Sequence, residues 1–349
     1  MRPTPTRIEP IFSPRLWGAR SLAPLFPEKS NLTEPLGEAW LTGVDCRIAS
    51  GPFTRKTLGA AWTEMPAEWR GTSLASVQDF PLLVKFIFPT DKLSIQVHPD
   101  DAYAAVHEQA AGGRGKTEMW HAVSATAGAQ VLLGLKPGVN KEKFRERLAS
   151  HTLEDLFEEQ SVRTGDTFFV PAGAPHSIGP NMVICEVQEY SDLTYRVYDF
   201  GRVDAQGKPR ELHVEKALQV TNFGKPAGGK VASLPLPADG ATRSLLAACR
   251  YFATERWECS AKCEIPVEPE RFELIVILEG VGSFAWPDSA ARYHRGECWL
   301  VPASQARIGV LPETATSLIR TYVPDISALR TELHRDGISA AALAQVVFD

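Results

Sequence analysis

The sequence has no C-x-x-C pair, no long apolar run and no excess of positive charge. Its six cysteines, Cys46, Cys185, Cys249, Cys259, Cys263 and Cys298, are scattered along the chain. Only Cys259 and Cys263 lie close, and no second cysteine or histidine pair answers them as a four-ligand structural zinc site requires. They read as buried free thiols in a reducing compartment. No stretch approaches the roughly 18 apolar residues of a membrane-crossing helix, which excludes a helical membrane span. The opening residues, MRPTPTRIEPIFSPRLWG, place prolines and arginines where a secretory signal needs an apolar run of about 7–15 residues. A cytoplasmic location is the expectation. With 37 Lys and Arg against 42 Asp and Glu, the net charge is −5. That balance lacks the basic face of a nucleic-acid partner. It does not exclude a small anionic substrate, because the local field in a cleft decides that case.

The 349 residues are 44% hydrophobic and 23% charged, within the globular range. The length implies two or three domains or modules. Short runs rich in Val, Ile and Phe recur between glycines and prolines: PLLVKFIFP (81–89), LSIQVHP (93–99), AQVLLGL (129–135), GDTFFVPAG (165–173) and NMVICEVQE (181–189). Such runs read as strands of a sandwich or barrel. The segment 140–160 interrupts them. Its Phe144, Leu148, Leu156 and Phe157 mark a helical face among charges, so it reads as a helical insertion. The stretch 222–242, rich in Gly, Pro and Ala, reads as a linker. A second strand-rich region follows to about 323, and 325–349 reads as one or two short helices. GDTFFVPAGAPH (165–176) and GECWLVPASQAR (296–307) share the pattern G-(D/E)-x-x-x-V-P-A. The expectation is a mainly β chain with two barrels: 1–225 with the helical insertion, 240–324, and a helical tail.

Four segments carry residues suited to chemistry. In an extended strand alternate side chains share a face, so Gln96 and His98 of LSIQVHPDD point one way while Ile95 and Val97 point the other. That is the pattern of a strand lining a cavity, or of an edge strand with a polar outer face. Lys116 and Glu118 in GKTEMW are again two apart, as a ligand pair or as a solvated ion pair. His176 sits at the mouth of the turn VPAGAPHSIG. Two imidazoles and a carboxylate are a common set for catalytic zinc, and the amide oxygen of Gln96 is a weaker fourth ligand. In QEYSDLTYRVYDFGR, Asp192, Thr194 and Arg196 alternate with Leu193, Tyr195 and Val197. An arginine fixed beside a carboxylate suits recognition of an anion or a developing oxyanion, and equally a pair that only stiffens the sheet.

Together LSIQVHPDD, GKTEMW, FFVPAGAPHSIGP and QEYSDLTYRVYDFGR resemble the type I mannose-6-phosphate isomerase (phosphomannose isomerase) family, in its short bacterial form. PRLWGARSL, LGEAW and GECWLVPAS are weaker matches. The resemblance implies two cupin-like jelly-roll barrels and an aldose–ketose isomerase interconverting mannose 6-phosphate and fructose 6-phosphate through an enediolate. It implies one zinc ion per chain, held by Gln96, His98, Glu118 and His176. Lys116, Arg196 and Asp192 fall at catalytic positions, with Lys116 expected to have a lowered pKa beside the ion and Asp192 to orient Arg196 or shuttle protons. Ser94 and Lys92 are candidate phosphate contacts. The partner implied is a small sugar phosphate, with no nucleic acid or membrane; oligomeric state is left open. Two departures stand out. The lead-in to Lys116 reads GRG, and Ser304 and Gln305 follow the second V-P-A, so the second barrel is expected to be metal-free. A sugar-binding or regulatory cupin, or a cupin oxygenase, are the competing classes.

Overall fold

The computed structural model describes residues 3–204, 206–224, 228–287 and 289–349. Its apolar strand runs form four antiparallel sheets, paired into two jelly-roll barrels. In the first barrel a seven-stranded sheet runs in the order Gly229–Val231, Thr167–Val170, Glu118–Ala125, Met182–Glu189, Leu82–Ile87, Leu36–Trp40, Ile11–Ala19. It faces a five-stranded sheet ordered Tyr195–Tyr198, Ile95–Val97, His176–Ile178, Gln130–Leu135, Phe157–Ser161. The central strands are buried on both faces, which is why LLVKFI reads as an unbroken apolar run instead of an alternating one.

The second barrel repeats the plan. Its seven-stranded sheet runs Thr6–Ile8, Cys298–Val301, Glu273–Glu279, Thr316–Tyr322, Ala253–Cys259, Thr242–Ala248, Leu234–Leu236. Opposite lies a four-stranded sheet of Cys263–Pro266, Arg307–Pro312, Val281–Trp286 and Ser289–His294. The duplication extends to register. Glu118 pairs with Val170 of the first V-P-A, and Glu273 with Val301 of the second.

The sequence reading differs from the structure in detail. Only Lys141–Ala149 of the insertion is α-helical, capped by the Asn140 side chain, followed by a 3-10 turn at Leu153–Leu156. Phe157 begins a strand, because its ring and Leu156 close over an apolar cluster with Phe144 and Tyr195. The stretch read as a linker contributes strands Gly229–Val231 and Leu234–Leu236, one to each barrel; its residues 225–227 lie outside the described residues. The chain start also crosses between modules, since Thr6–Ile8 joins the second barrel's sheet while Ile11–Ala19 joins the first. The tail forms helices Ile326–Arg335 and Ala340–Leu343. Leu329, Leu333, Leu343, Val346 and Val347 bury into the large core shared by both barrels, and Phe348 stacks on Phe169 at 4.0 Å.

Candidate metal centre and active site

The two sheets of the first barrel bring charged side chains face to face across a cavity of about 260 Å³. From the five-stranded sheet come three residues in one row. His176 lies directly across from Gln96, and Gln96 across from Arg196. His98 continues the Gln96 strand, past Val97. From the seven-stranded sheet come Glu118, Glu186 and Lys85, and Glu186 is the cross-strand neighbour of both Lys85 and Trp120.

Two close backbone approaches set the relative positions. Gly115 lies flush against Asp100, where a Cβ would stand 2.5 Å from the Asp100 carbonyl carbon. Lys116 N–H donates to Pro99 O at 3.0 Å, locking the Lys116–Glu118 segment to the turn after His98. Gly173, at φ +82°, donates its N–H to His98 O at 2.8 Å, so the VPAGAPH turn carries His176 to His98.

The imidazoles are tied by their far nitrogens. His98 Nδ1 is 2.8 Å from Leu193 O and His176 Nδ1 is 2.9 Å from Ala174 O. Each Nδ1–H therefore donates to a carbonyl, leaving the Nε2 lone pair facing inwards. His98 Nε2 lies 3.7 Å from Glu118 Oε2, and His176 Nε2 lies 3.5 Å from Glu118 Oε1. His98 Nε2 is buried with no hydrogen-bond partner, a cost that a bound cation removes. Burial holds both rings neutral: His176 falls to about 4, and His98 is depressed well below the usual value by burial and then by Lys116. Among the described residues these three form the one grouping of His, Cys, Asp or Glu with metal-ligand proximity. Two neutral imidazoles and a carboxylate fit a divalent ion. The amide nitrogen of Gln96 is 3.2 Å from His176 Nε2, while its oxygen faces the Ser94 hydroxyl at 3.5 Å. Ligation by that oxygen requires the amide to turn over.

Lys116 Nζ lies 2.9 Å from Glu118 Oε2. Burial lowers its pKa, but Glu118, Glu186 and Asp192 outweigh that, so among the protein groups alone the net direction is upward. Asp192, Thr194 and Arg196 all line the cavity. Asp192 does not orient Arg196: its Oδ1 accepts from Lys85 at 3.2 Å, because Lys85 projects from the facing sheet. Arg196 donates through Nη1 to Glu211 O at 3.0 Å, and its buried Nε has no partner. Ser94 is buried in the cavity wall. Lys92 is not part of that wall; it pairs with Glu154 at 2.5 Å on the outside.

Sequence reasoning missed Lys85, Glu186, Arg15 and Arg210, which also line the cavity. Lys85 is 2% exposed, lies over the Trp40 ring and is 3.8 Å from Glu186 Oε1. The signal was available: the lone lysine in PLLVKFIFP and Glu186 in the middle of NMVICEVQE are charges inside buried strands. A larger cavity, about 890 Å³, lies between the chain start and the second barrel near Arg7, Phe26 and Glu279. It holds neither the three grouped ligands nor their polar partners, whereas the smaller cavity is lined by Lys116 and Gln96, which contact Glu118 and His176, so chemistry and not volume marks the site.

In the second barrel the corresponding register positions hold different side chains. Pro266 pairs with Arg307 as Gln96 pairs with His176, and Glu268 follows Pro266 by two. Arg320 pairs with Glu255 and Ile275 as Glu186 pairs with Lys85 and Trp120. The carboxylate matching Glu118 is Glu273, and Arg320 Nε donates to its Oε2 at 2.6 Å. Only the carboxylate of the ligand set remains, neutralised by a guanidinium.

A double cupin with a His-Glu-His grouping in one barrel, ringed by lysine and arginine, defines a metal-site cupin suited to a small anionic molecule. The comparisons narrow this. The family model for the phosphomannose isomerase type I catalytic domain matches residues 6–127. A mannose-6-phosphate isomerase of Streptococcus mutans is 36% identical over 282 residues, 78% of this chain and 86% of that protein. The crystal structure of the mannose 6-phosphate isomerase from Bacillus subtilis aligns with TM-score 0.83 at 28% identity, covering 91% of this chain and 99% of that one. A mannose 6-phosphate isomerase bound with zinc and yttrium shares the fold at TM-score 0.69 and 16% identity, covering 91% of this chain and 99% of that one. The chain belongs to the type I mannose-6-phosphate isomerase family.

Proposed function

We propose that this protein interconverts mannose 6-phosphate and fructose 6-phosphate, using one zinc ion per chain held by His98, Glu118, His176 and the Gln96 amide. The observation that carries the reading is the His-Glu-His grouping beside a cavity lined by Lys116, Gln96, Lys85 and Arg196, joined to it by the Lys116–Glu118 and Gln96–His176 contacts. When bound, zinc supplies Lewis-acid polarisation of the sugar oxygens at C1 and C2. The surrounding residues supply the rest. Lys116, whose ammonium lines the cavity beside Glu118, donates to an oxygen that gains negative charge as the ring opens or the enediolate forms. Arg196 presents a permanent cation with an unused donor to the same charge. The Asp192–Lys85 pair, between the loop before Tyr195–Tyr198 and the seven-stranded sheet, relays the proton between C1 and C2. Arg196, Arg210 and Arg15 give the cavity a cationic wall suited to phosphate, with the Ser94 hydroxyl beside it. The second barrel supports a single ion per chain, because Arg320 neutralises Glu273 there and no imidazole stands at the matching register positions.

The test is the reaction with zinc-loaded protein, read as fructose 6-phosphate formed from mannose 6-phosphate. Protein that binds the sugar phosphate yet forms no ketose would leave a binding module in place of an enzyme.

A further inference from the structure

Cys259 and Cys263 are the one cysteine motif that the isomerase site does not absorb. Cys259 ends the strand Ala253–Cys259 of one sheet of the second barrel, and Cys263 begins the strand Cys263–Pro266 of the other. The corner Ser260–Ala261–Lys262 joins them and folds the sulfurs together. Their Sγ atoms are 3.3 Å apart, with the Cys263 thiol donating to the Cys259 sulfur. A disulfide needs about 2.05 Å, so closure asks for a shift of roughly 1.3 Å at the tips of two side chains.

We propose that Cys259 and Cys263 form a reversible dithiol–disulfide site, with Cys263 attacking a small peroxide and Cys259 resolving the product. The geometry separates this pair from the other cysteines. Cys263 lines an open cavity of about 480 Å³ and Cys259 does not, so a small oxidant meets the Cys263 sulfur first. At 4% exposure it admits a small oxidant and resists a bulky one. Once Cys263 gives up its proton the neighbouring Cys259 thiol can donate to the thiolate, and that contact lowers the Cys263 pKa against the opposing effect of burial. Cys46 and Cys249 are pushed up by burial, to about 11 and about 12, and Cys185 and Cys298 are raised by burial as well. Those four are poor nucleophiles.

The chemistry balances in two steps. The Cys263 thiolate attacks one oxygen of hydrogen peroxide, the O–O bond breaks, and hydroxide leaves as the sulfur becomes a sulfenic acid. The Cys259 sulfur then attacks the sulfenic sulfur; the S–O bond breaks and water leaves. In sum two thiols are oxidised, one peroxide is reduced, and two waters form. Thiol reductant reverses the change.

The test treats folded, zinc-loaded protein with a small excess of hydrogen peroxide, blocks remaining thiols by alkylation under denaturing conditions, and digests with trypsin without reduction. Cleavage after Arg256, Lys262 and Arg271 separates the two cysteines, so the expected product is peptide 257–262 linked to peptide 263–271. The other four cysteines should be recovered alkylated, and dithiothreitol should restore the pair. In Cys259→Ser, Cys263 should accumulate as a sulfenic acid trapped by a dimedone probe. In Cys263→Ser, Cys259 should stay reduced. Recovery of both cysteines fully alkylated while another is oxidised first would overturn the proposal. So would linked peptides that appear only after the protein is unfolded, or trapping at residue 259 in Cys263→Ser.

Discussion

At the scale of single residues the first barrel is a set of side chains held ready by backbone carbonyls. Leu193 O and Ala174 O fix the rings of His98 and His176, so either imidazole can be lost without disturbing the other's tether. Replacing either with alanine should abolish most metal uptake, read by elemental analysis, while the far-ultraviolet circular dichroism stays native. Glu118→Gln keeps the shape and removes the charge between the two rings, so metal affinity should fall strongly in the same measurement. Arg196 acts differently. If it stabilises the enediolate, Arg196→Ala should lower kcat by a factor on the order of 10², about 3 kcal/mol of transition-state stabilisation. KM should change less, and Arg196→Lys should rescue only part, because an ammonium lacks the planar fork. Equal loss in both variants with KM alone affected would place Arg196 in substrate binding only. Alternation along a strand makes it readable that Gln96 accompanies His98 and that Arg196 accompanies Asp192. What alternation cannot show is who stands opposite. The Lys85–Asp192 bond joins a strand residue to a loop residue 107 positions away, and one-strand periodicity contains no information about that partner.

Elements carry these side chains to one another through contact between backbones. Gly115 is the tightest case, since a Cβ there meets the backbone of Asp100 and Asp101, which cannot swing aside as a side chain can. Gly115→Ala should cost about 1–3 kcal/mol by overpacking and push Lys116 and Glu118 away from His98. Urea unfolding should show the stability loss, and zinc titration should show weakened uptake; unchanged zinc affinity would mean that the Lys116–Glu118 segment is positioned by something else. The departure GRG noted in the sequence thus includes the glycine that this approach requires. Element types were legible where the apolar period was clear, as for the strands 82–87 and 182–189 and the helix 141–149. Two segments were not. Phe157–Ser161 continues a charged, helix-like stretch but pairs with Gln130–Leu135, and that pairing outweighs local preference. The strand Leu234–Leu236 is a three-residue edge within a Gly/Pro-rich stretch, too short to show a period.

Across the whole molecule, duplication has been resolved in two ways at one register. In the first barrel Glu118 faces two imidazoles; in the second Glu273 faces Arg320, which also bonds Glu255. The shared V-P-A pattern announced the duplication, whereas Arg320 lies in a later strand that no repeat comparison of that motif reaches. The buried cluster predicts acid sensitivity. Burial raises the Glu255 pKa, but Arg320 and Arg243 overcome it and hold the group at about 2. A carboxyl depressed on folding stabilises fully above its unfolded value of about 4.3, and that stability is lost as pH falls towards the folded value. Denaturant midpoints should therefore fall between about pH 4.3 and about pH 2, and Glu255→Gln should flatten that part of the profile. A wild-type profile no steeper than the variant's would remove Glu255 as the cause. On the proposed single-ion reading purified protein should carry one equivalent of zinc; a second tight equivalent lost on His294→Ala would contradict it. The central claim is isomerase activity that depends on the first barrel's metal centre, and one measurement reads it directly. Protein stripped by chelation, then reloaded with one equivalent of zinc, is incubated with mannose 6-phosphate and the ketose is quantified. Fructose 6-phosphate should form only after reloading; full conversion by metal-free protein, or none by reloaded protein that binds the sugar phosphate, would contradict the account.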